Sequence, residues 1–336
     1  MRGRTEDKIK FEKKIQGKIK NLPDYMIDYY YYLNEKTHMT KMIYINNVIR
    51  FLKWYGNEDV NNVSENDLDH ITPRVIQNYM SDIQFSEDRE LGNDAKSNIY
   101  SSLNSFLVFL KKNNIIRDNP FDGDRISRPK AHDNEITFLE PEEFASIKRK
   151  IMNGVGNDRA VARQKKWIYR DLLLFQIPII TGVRVTALSQ ISIDDIDFDK
   201  MCIRVIDKAR EKVLYLDEET LNLIYIWIEN RKEILKGCVD CGYLFISNRK
   251  TKMDISSIEN VIEKYTVDID KHITPHKLRS TCGTNMYRAT KDIYIVAETL
   301  GHKSPATSRK YTKVDNHDRI NATKLLAEQM RNGKMS

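Results

Sequence analysis

Helical periodicity fills the first third of this chain and then stops. From Ile116 to Glu135 the apolar spacing gives way to Asn119-Pro120, Asp122-Gly123, Arg128-Pro129 and Lys130. Proline fixes φ and lacks an N–H, glycine is costly to order, and alternating charge offers no face to bury. Such a stretch reads as a linker between domains. The length of 336 residues points the same way, because single cores stop growing at roughly 250–300 residues.

Before the break, apolar residues recur at helical spacing. Met42, Ile45, Val48, Ile49 and Leu52 form one stripe, which Gly56 stops. Thr72-Pro73 starts another helix, Thr as cap and Pro at the first helical position. Its stripe is Val75, Ile76, Tyr79, Met80 and Ile83, and Ile99, Leu103, Phe106, Leu107 and Leu110 make the next. The segment Tyr25 to Leu33 holds Tyr29-Tyr30-Tyr31-Tyr32, expected to pack in core and rim rather than to stack on nucleic acid. After the break, Pro141-Glu142-Glu143-Phe144 opens a helix, and Trp167 to Ile180 forms a strongly apolar one. Ile196 to Leu216 alternates instead, which predicts a hairpin: Met201–Ile206, a charged turn Asp207–Lys212, then Val213–Leu216. Helices follow to the end. The expected fold class is mainly α with a small β-sheet or hairpin.

Charge narrows the partners. The formal net charge is +7, and residues 1–20 carry eight Lys/Arg against three Asp/Glu. A basic tail of this kind suits a polyanion, where each neutralised phosphate releases counterions. Arg125, Arg128 and Lys130 in the linker would suit a strap beside such a partner. No stretch approaches the roughly 18 apolar residues that span a bilayer, and the first residues lack the apolar run of a secretory signal. The expected location is the cytoplasm, with no membrane partner. Four cysteines fit a reducing compartment. Cys238-Val239-Asp240-Cys241 has the spacing of half a zinc site, but no second pair completes it, so no metal is expected. No glycine-rich phosphate loop appears, and no cofactor is expected.

The chemistry-bearing residues lie late in the chain. Arg184 stands in Thr181-Gly182-Val183-Arg184, and His276 and Arg279 in Thr274-Pro275-His276-Lys277-Leu278-Arg279. His302 follows in Leu300-Gly301-His302, and Tyr311 comes nine residues after His302. Thr274-Pro275 is cap plus first-turn proline, so His276 and Arg279 share one face of a helix start, where free N–H groups favour an anion. Asp292 caps the helix of Ile293, Val296, Ala297 and Leu300, and Gly301 suits its left-handed end. Ser304-Pro305 begins the short helix that carries Tyr311. Attack on a phosphodiester needs fixed cations aimed at the non-bridging oxygens, and arginine supplies two planar donors. Tyrosine is a workable nucleophile whose ester keeps the energy of the broken bond. A lysine on the hairpin can protonate the departing oxygen.

The set of Arg184, Lys208, His276, Arg279, His302 and Tyr311, in this order, resembles the tyrosine recombinases, the phage-type integrases and Xer-type recombinases. The resemblance covers nearly the whole chain and is strongest over residues 181–197 and 274–314. It implies a basic tail (1–20), a helical core-binding, DNA-binding domain (21–118), a linker (119–135), a mixed α/β catalytic domain (136–325) and a C-terminal tail (316–336) that docks on a neighbouring subunit. The two domains would form a C-shaped clamp around double-stranded DNA. Arg184 and Arg279 would bind the scissile phosphate, and Lys208 would be the general acid. His276 would accept a proton or hold the phosphate, His302 would support the transition state, and Tyr311 would form a 3′-phosphotyrosyl link. Members need no metal or nucleotide, and act as homotetramers on two DNA sites through a Holliday junction, some with accessory DNA-binding proteins. Lys212 is the second candidate for the acid, because the turn looks about one residue short; Arg210 gives up its proton too reluctantly. Two departures stand out. Ala187 replaces the acidic residue often found three after the first arginine, and Ser280 replaces the histidine often found after the second. A type IB-like topoisomerase and a non-catalytic DNA-binding protein of the same fold are the alternatives. With about 20 residues before the first helix, a separate folded arm-binding domain is not expected, which leaves an Xer-like layout. Integration or excision of a mobile element and resolution of replicon dimers all fit this machine.

Overall fold

The computed structural model describes residues 15–85, 91–129, 136–207, 210–302 and 304–314, with single positions between 323 and 330. The chain divides into two compact units, Met1–Asp133 and Asn134–Ser336.

The described part of the first unit is helical. After a turn of helix at residues 15–19 (α1) come α2 (Asp24–Tyr32), α3 (His38–Tyr55), α4 (Glu65–Leu68), α5 (Pro73–Phe85) and α6 (Asn93–Lys112). The caps are those the residue types dictate. The Thr37 hydroxyl accepts from the Thr40 N–H, Gly56 closes α3, and the Thr72 hydroxyl accepts from Val75 N–H at the start of α5. The tyrosine run splits by helical phase. Tyr25, Tyr29 and Tyr30 are buried, while Tyr31 and Tyr32 face out. Tyr29 meets Phe106 edge to face at 5.1 Å, and the Tyr25 hydroxyl donates to the Val63 carbonyl. Ile45, Val48, Leu52, Ile76, Tyr79, Leu103 and Leu107 complete this core.

Residues 116–126 are more than a tether. Ile116, Phe121 and Ile126 are buried in the core of the first unit, and Asn119 is buried with its side-chain oxygen accepting from Phe121 N–H. Two of the three basic residues here are engaged: Arg125 with Asp118, and Arg128 with the hydroxyls of Ser97 and Ser101. Lys130 lies outside the described residues, as do most of the basic tail and of the C-terminal tail.

The second unit wraps helices around α9 (Ile168–Thr181), whose residues Leu172 to Pro178 are buried on every side. Around it stand α7 (Pro141–Asn153), α8 (Asp158–Gln164), α10 (Val185–Leu188), α11 (Glu218–Leu235), α12 (Ile255–Thr266), α13 (Pro275–Thr290) and α14 (Ile293–Leu300). A three-stranded antiparallel sheet runs β1 (Ile196–Asp197), β2 (Cys202–Asp207), β3 (Arg210–Tyr215) in that order. The fold is therefore mainly α with a small sheet. One expectation is corrected. The hairpin turn is not Asp207–Lys212, because Asp207 pairs with Arg210 and Val205 with Lys212. Lys212 is thus a strand residue. Alternation puts it on the inner side with Leu214, while Glu211 and Val213 face out.

Candidate active site

The site assembles where three chain turns meet the start of α13. The first turn is the end of α9. Gly182 takes the left-handed conformation, φ +63°, and a Cβ there would lie 2.4 Å from the Leu300 side chain. Only glycine permits both the backbone and the approach. Two residues later Arg184 is the N-cap of α10 and is partly buried. The second turn is the end of α14. The Asp292 carboxylate caps its start, accepting from Tyr294 N–H at 2.7 Å, and Gly301 ends it at φ +60°. His302 follows directly.

Arg279 ties these turns together. Its side chain is buried, and its guanidinium donates to the Gly182 carbonyl on one side and the Leu300 carbonyl on the other. A buried cation satisfied by neutral carbonyls keeps its full charge in a place of low dielectric. Burial and the Arg184 charge push its pKa down to about 10, so it stays a cation at neutral pH. Thr274 caps α13 by position, but its hydroxyl makes no capping hydrogen bond. His276, three residues before Arg279, presents an exposed edge. Desolvation, then Lys310, Arg279, Lys277 and Arg184, hold its pKa below the usual histidine value.

The hairpin enters from another side. Lys212 Nζ donates to the Thr299 carbonyl, one residue before Leu300. Desolvation, followed by the charge of Arg279, lowers its pKa, which makes it the stronger proton donor. Arg184 pairs with Asp207 at the end of β2. The carboxylate of Arg184 therefore comes from the hairpin, while Ala187, three residues on, is buried among apolar groups. Lys208 lies outside the described residues.

Tyr311 sits on a 3₁₀ helix, Pro305–Val314, and is only 2 % exposed. Its ring fills a notch left by Gly283, where a Cβ would stand 2.7 Å from the ring carbon that bears the hydroxyl. Burial raises the phenol pKa, against a Ser280 hydrogen bond and the Arg279 charge, which lower it. Ser280, the departure noted after the second arginine, thus meets the phenol. The His302 ring lies parallel to Tyr311, centroids 6.4 Å apart, and its Nδ1 is 2.7 Å from the Ser308 hydroxyl. Burial and the surrounding cations push the His302 pKa down to about 4. At neutral pH it is an uncharged ring.

Five of the six residues singled out in the sequence thus converge: Arg184, His276, Arg279, His302 and Tyr311. Sequence reasoning missed Asp207, Gly283, Ser308 and Lys310. Lys310, whose Nζ is 5.1 Å from the centre of the Tyr311 ring, was the most findable, as a basic neighbour of the nucleophile candidate. Cys282 is a buried thiol beneath Arg279, donating to the Ile180 carbonyl, its pKa pushed up to about 12 by burial. Cys238 and Cys241 are exposed free thiols. Among the described residues, no group of three or more His, Cys, Asp or Glu could hold a metal.

The second unit is thus mainly helical with a small sheet, and it gathers two arginines, two histidines whose pKa values are lowered, and a buried tyrosine. Residues 157–318 match the phage integrase family. That segment belongs to the family, the tyrosine recombinases, which transfer DNA strands in site-specific recombination. It is similar to a tyrosine recombinase of Agathobacter rectalis, 28% identical over 221 residues, 64% of this chain and 70% of the relative. It is also similar to the tyrosine recombinase XerC of Alcanivorax borkumensis, 26% identical over 64% of this chain and 67% of the relative. Its fold resembles that of the XerH site-specific recombinase bound to palindromic difH substrate in a post-cleavage complex. The TM-score is 0.62 at 20% identity, over 87% of this chain and 81% of that one. Among the described residues, no helix is long and apolar enough to cross a membrane.

Proposed function

We propose that this chain breaks and rejoins DNA at specific sites through a 3′-phosphotyrosyl link on Tyr311. The observation that carries the reading is Arg279, a buried cation held by carbonyls rather than by a carboxylate, with Arg184, His276, His302 and Tyr311 gathered round it. In the proposed step the Tyr311 oxygen attacks phosphorus and the bond to the 5′ oxygen breaks. The phenol proton passes to His276, and the 5′ oxygen takes a proton from Lys208 or Lys212. Arg184 and Arg279 hold the non-bridging oxygens as charge builds there. His302, neutral and fixed by Ser308, donates to the same phosphate. Side chains supply every charge and proton, so the step asks for no metal and no nucleotide. Religation runs the step backwards with a 5′ hydroxyl from the partner strand. The first unit serves as the second DNA-binding unit, and four copies on two sites exchange strands in pairs through a Holliday junction. Such work belongs in the cytoplasm, beside the nucleoid. The phenol, protonated and buried in its notch, leaves it to reach a phosphate.

The test is to sequence DNA trapped covalently on the protein in cells, wild type beside Tyr311→Phe. Adducts at one or two discrete sites, lost in the variant, are expected, and the sites themselves separate dimer resolution from element integration. Scattered adducts would instead indicate a relaxing topoisomerase. Adducts that persist in Tyr311→Phe would remove Tyr311 as nucleophile, and none in either protein would leave a DNA-binding role.

A further inference from the structure

We propose that Asp207 is a built-in substitute for the DNA phosphate: it occupies Arg184 while DNA is absent and must be displaced for the site to close on a scissile phosphate. The inference rests on reading this cluster as a phosphate site.

The cluster is strongly cationic. Arg184, Arg279 and Lys310 all lower the pKa of both histidines, and Lys212 feels Arg279 and Arg184 in turn. Among the described residues, Asp207 is the carboxylate that meets it. Asp207 pairs with Arg184 Nη1 through Oδ2, and its charge also reaches Lys212 and Arg279. Its side chain is 11% exposed, and its Oδ1 is buried without a hydrogen-bond partner. A structural ion pair satisfies both oxygens, since an orphaned buried acceptor costs stability. A carboxylate with one oxygen on an arginine and one unsatisfied behaves as a placeholder. It neutralises a catalytic guanidinium, and it gives way to an anion with more oxygens to offer. Asp207 closes β2, opposite Arg210, and directly precedes Lys208. Asp207 thus acts as a positioning residue and not as a catalytic one.

The experiment uses inorganic sulfate, a tetrahedral dianion, titrated calorimetrically into the full chain, with melting temperature as a second readout. Asp207→Asn is expected to bind sulfate about tenfold tighter than wild type, the scale of one close charge interaction. Asp207→Glu, which keeps the carboxylate, is expected to bind as weakly as wild type. Arg184→Gln on top of Asp207→Asn is expected to cancel the gain. If Asp207→Asn melts cooperatively and binds sulfate no better than wild type, the proposal is overturned. Should the amide variant not fold, Asp207→Ser carries the same comparison. The outcome is independent of strand cleavage. Tighter sulfate binding with no Tyr311-dependent adduct in cells would sustain the role of Asp207 as occupant of an anion site and overturn only the recombinase reading.

Discussion

The second unit buries charge at both ends of one helix, and does so in opposite ways. Towards the start of α9, Asp171 is fully buried but closed in by partners. Arg170 meets it at 2.7 Å, Lys264 at 3.1 Å, and the Tyr265 hydroxyl donates to it at 2.9 Å. Arg170 also donates to the Ile246 carbonyl and lies over the Trp167 ring. Past the end of α9, Arg184 and Arg279 share their space with Lys212, Lys310 and one carboxylate. The first cluster comes within one charge of balance, two cations closed on one carboxylate, and holds α9 to α12. The second is left in positive surplus, and Arg279 and Lys212 turn to backbone carbonyls. Folding alone rewards the first arrangement and penalises the second, since uncompensated buried charge is costly. A surplus kept at that cost is what an anion-binding site requires.

The sharpest way to break this contrast is to remove the carboxylate from the first cluster. Asp171→Asn leaves Arg170 and Lys264 repelling each other with no counter-charge. The expected loss of stability is about 3–5 kcal/mol, the cost of breaking a buried pair from one side. Urea unfolding of the two proteins measures it. A loss below about 1 kcal/mol would mean that the first cluster is no better closed than the second, and the contrast would fail.

The converse change belongs to the surplus cluster. Lys212→Met gives up one hydrogen bond to Thr299 but relieves repulsion from Arg279 and Arg184. Stability is expected to move by less than about 1 kcal/mol, because the two effects oppose. The same variant decides the acid. On a cleavage site recovered from cells, with sulfur in place of the bridging 5′ oxygen, the leaving group needs no proton. That substrate should restore cleavage to whichever of Lys212→Met and Lys208→Met lost it through the acid, and leave any other defect in place.

Much of this site was legible because its placement obeys local rules. Thr274-Pro275, Asp292 and Gly301 are punctuation that acts within a turn of chain, and the structure has a helix start or end at each. Arg184, His276, Arg279, His302 and Tyr311 stand out through the family resemblance that their order carries, and the fold brings them together. What could not be read was the pairing of distant segments. Arg279 meets Gly182 across 97 residues, and no periodicity records that. The hairpin turn was drawn too long because charge at Asp207–Lys212 looks like a loop, whereas strand register is set by partners across the ladder. That one error hid the inward direction of Lys212 and the meeting of Asp207 with Arg184. Composition also concealed the packing of Phe121 and Ile126, two apolar residues inside a run of proline, glycine and charge.

Acid separates the two kinds of cluster by the pH at which each gives way. In the folded chain His302 has a pKa of about 4, below its unfolded value near 6.5. Between those values the unfolded chain takes up a proton that the folded chain refuses. Its contribution to stability is therefore complete above about pH 6.5 and is lost as the pH falls towards 4. His276 shifts in the same direction. The balanced pairs behave otherwise. Glu140 beside Arg288 and Asp240 beside Arg231 have carboxyls held below their ordinary values. Their contributions persist until the pH falls below the usual carboxylate range near 4. Urea midpoints measured from pH 7 to pH 4.5 should therefore decline in wild type and flatten in His302→Gln, with the balanced pairs silent over that interval. An equal decline in both proteins would place the titrating groups elsewhere and show that the cationic surplus does not reach His302.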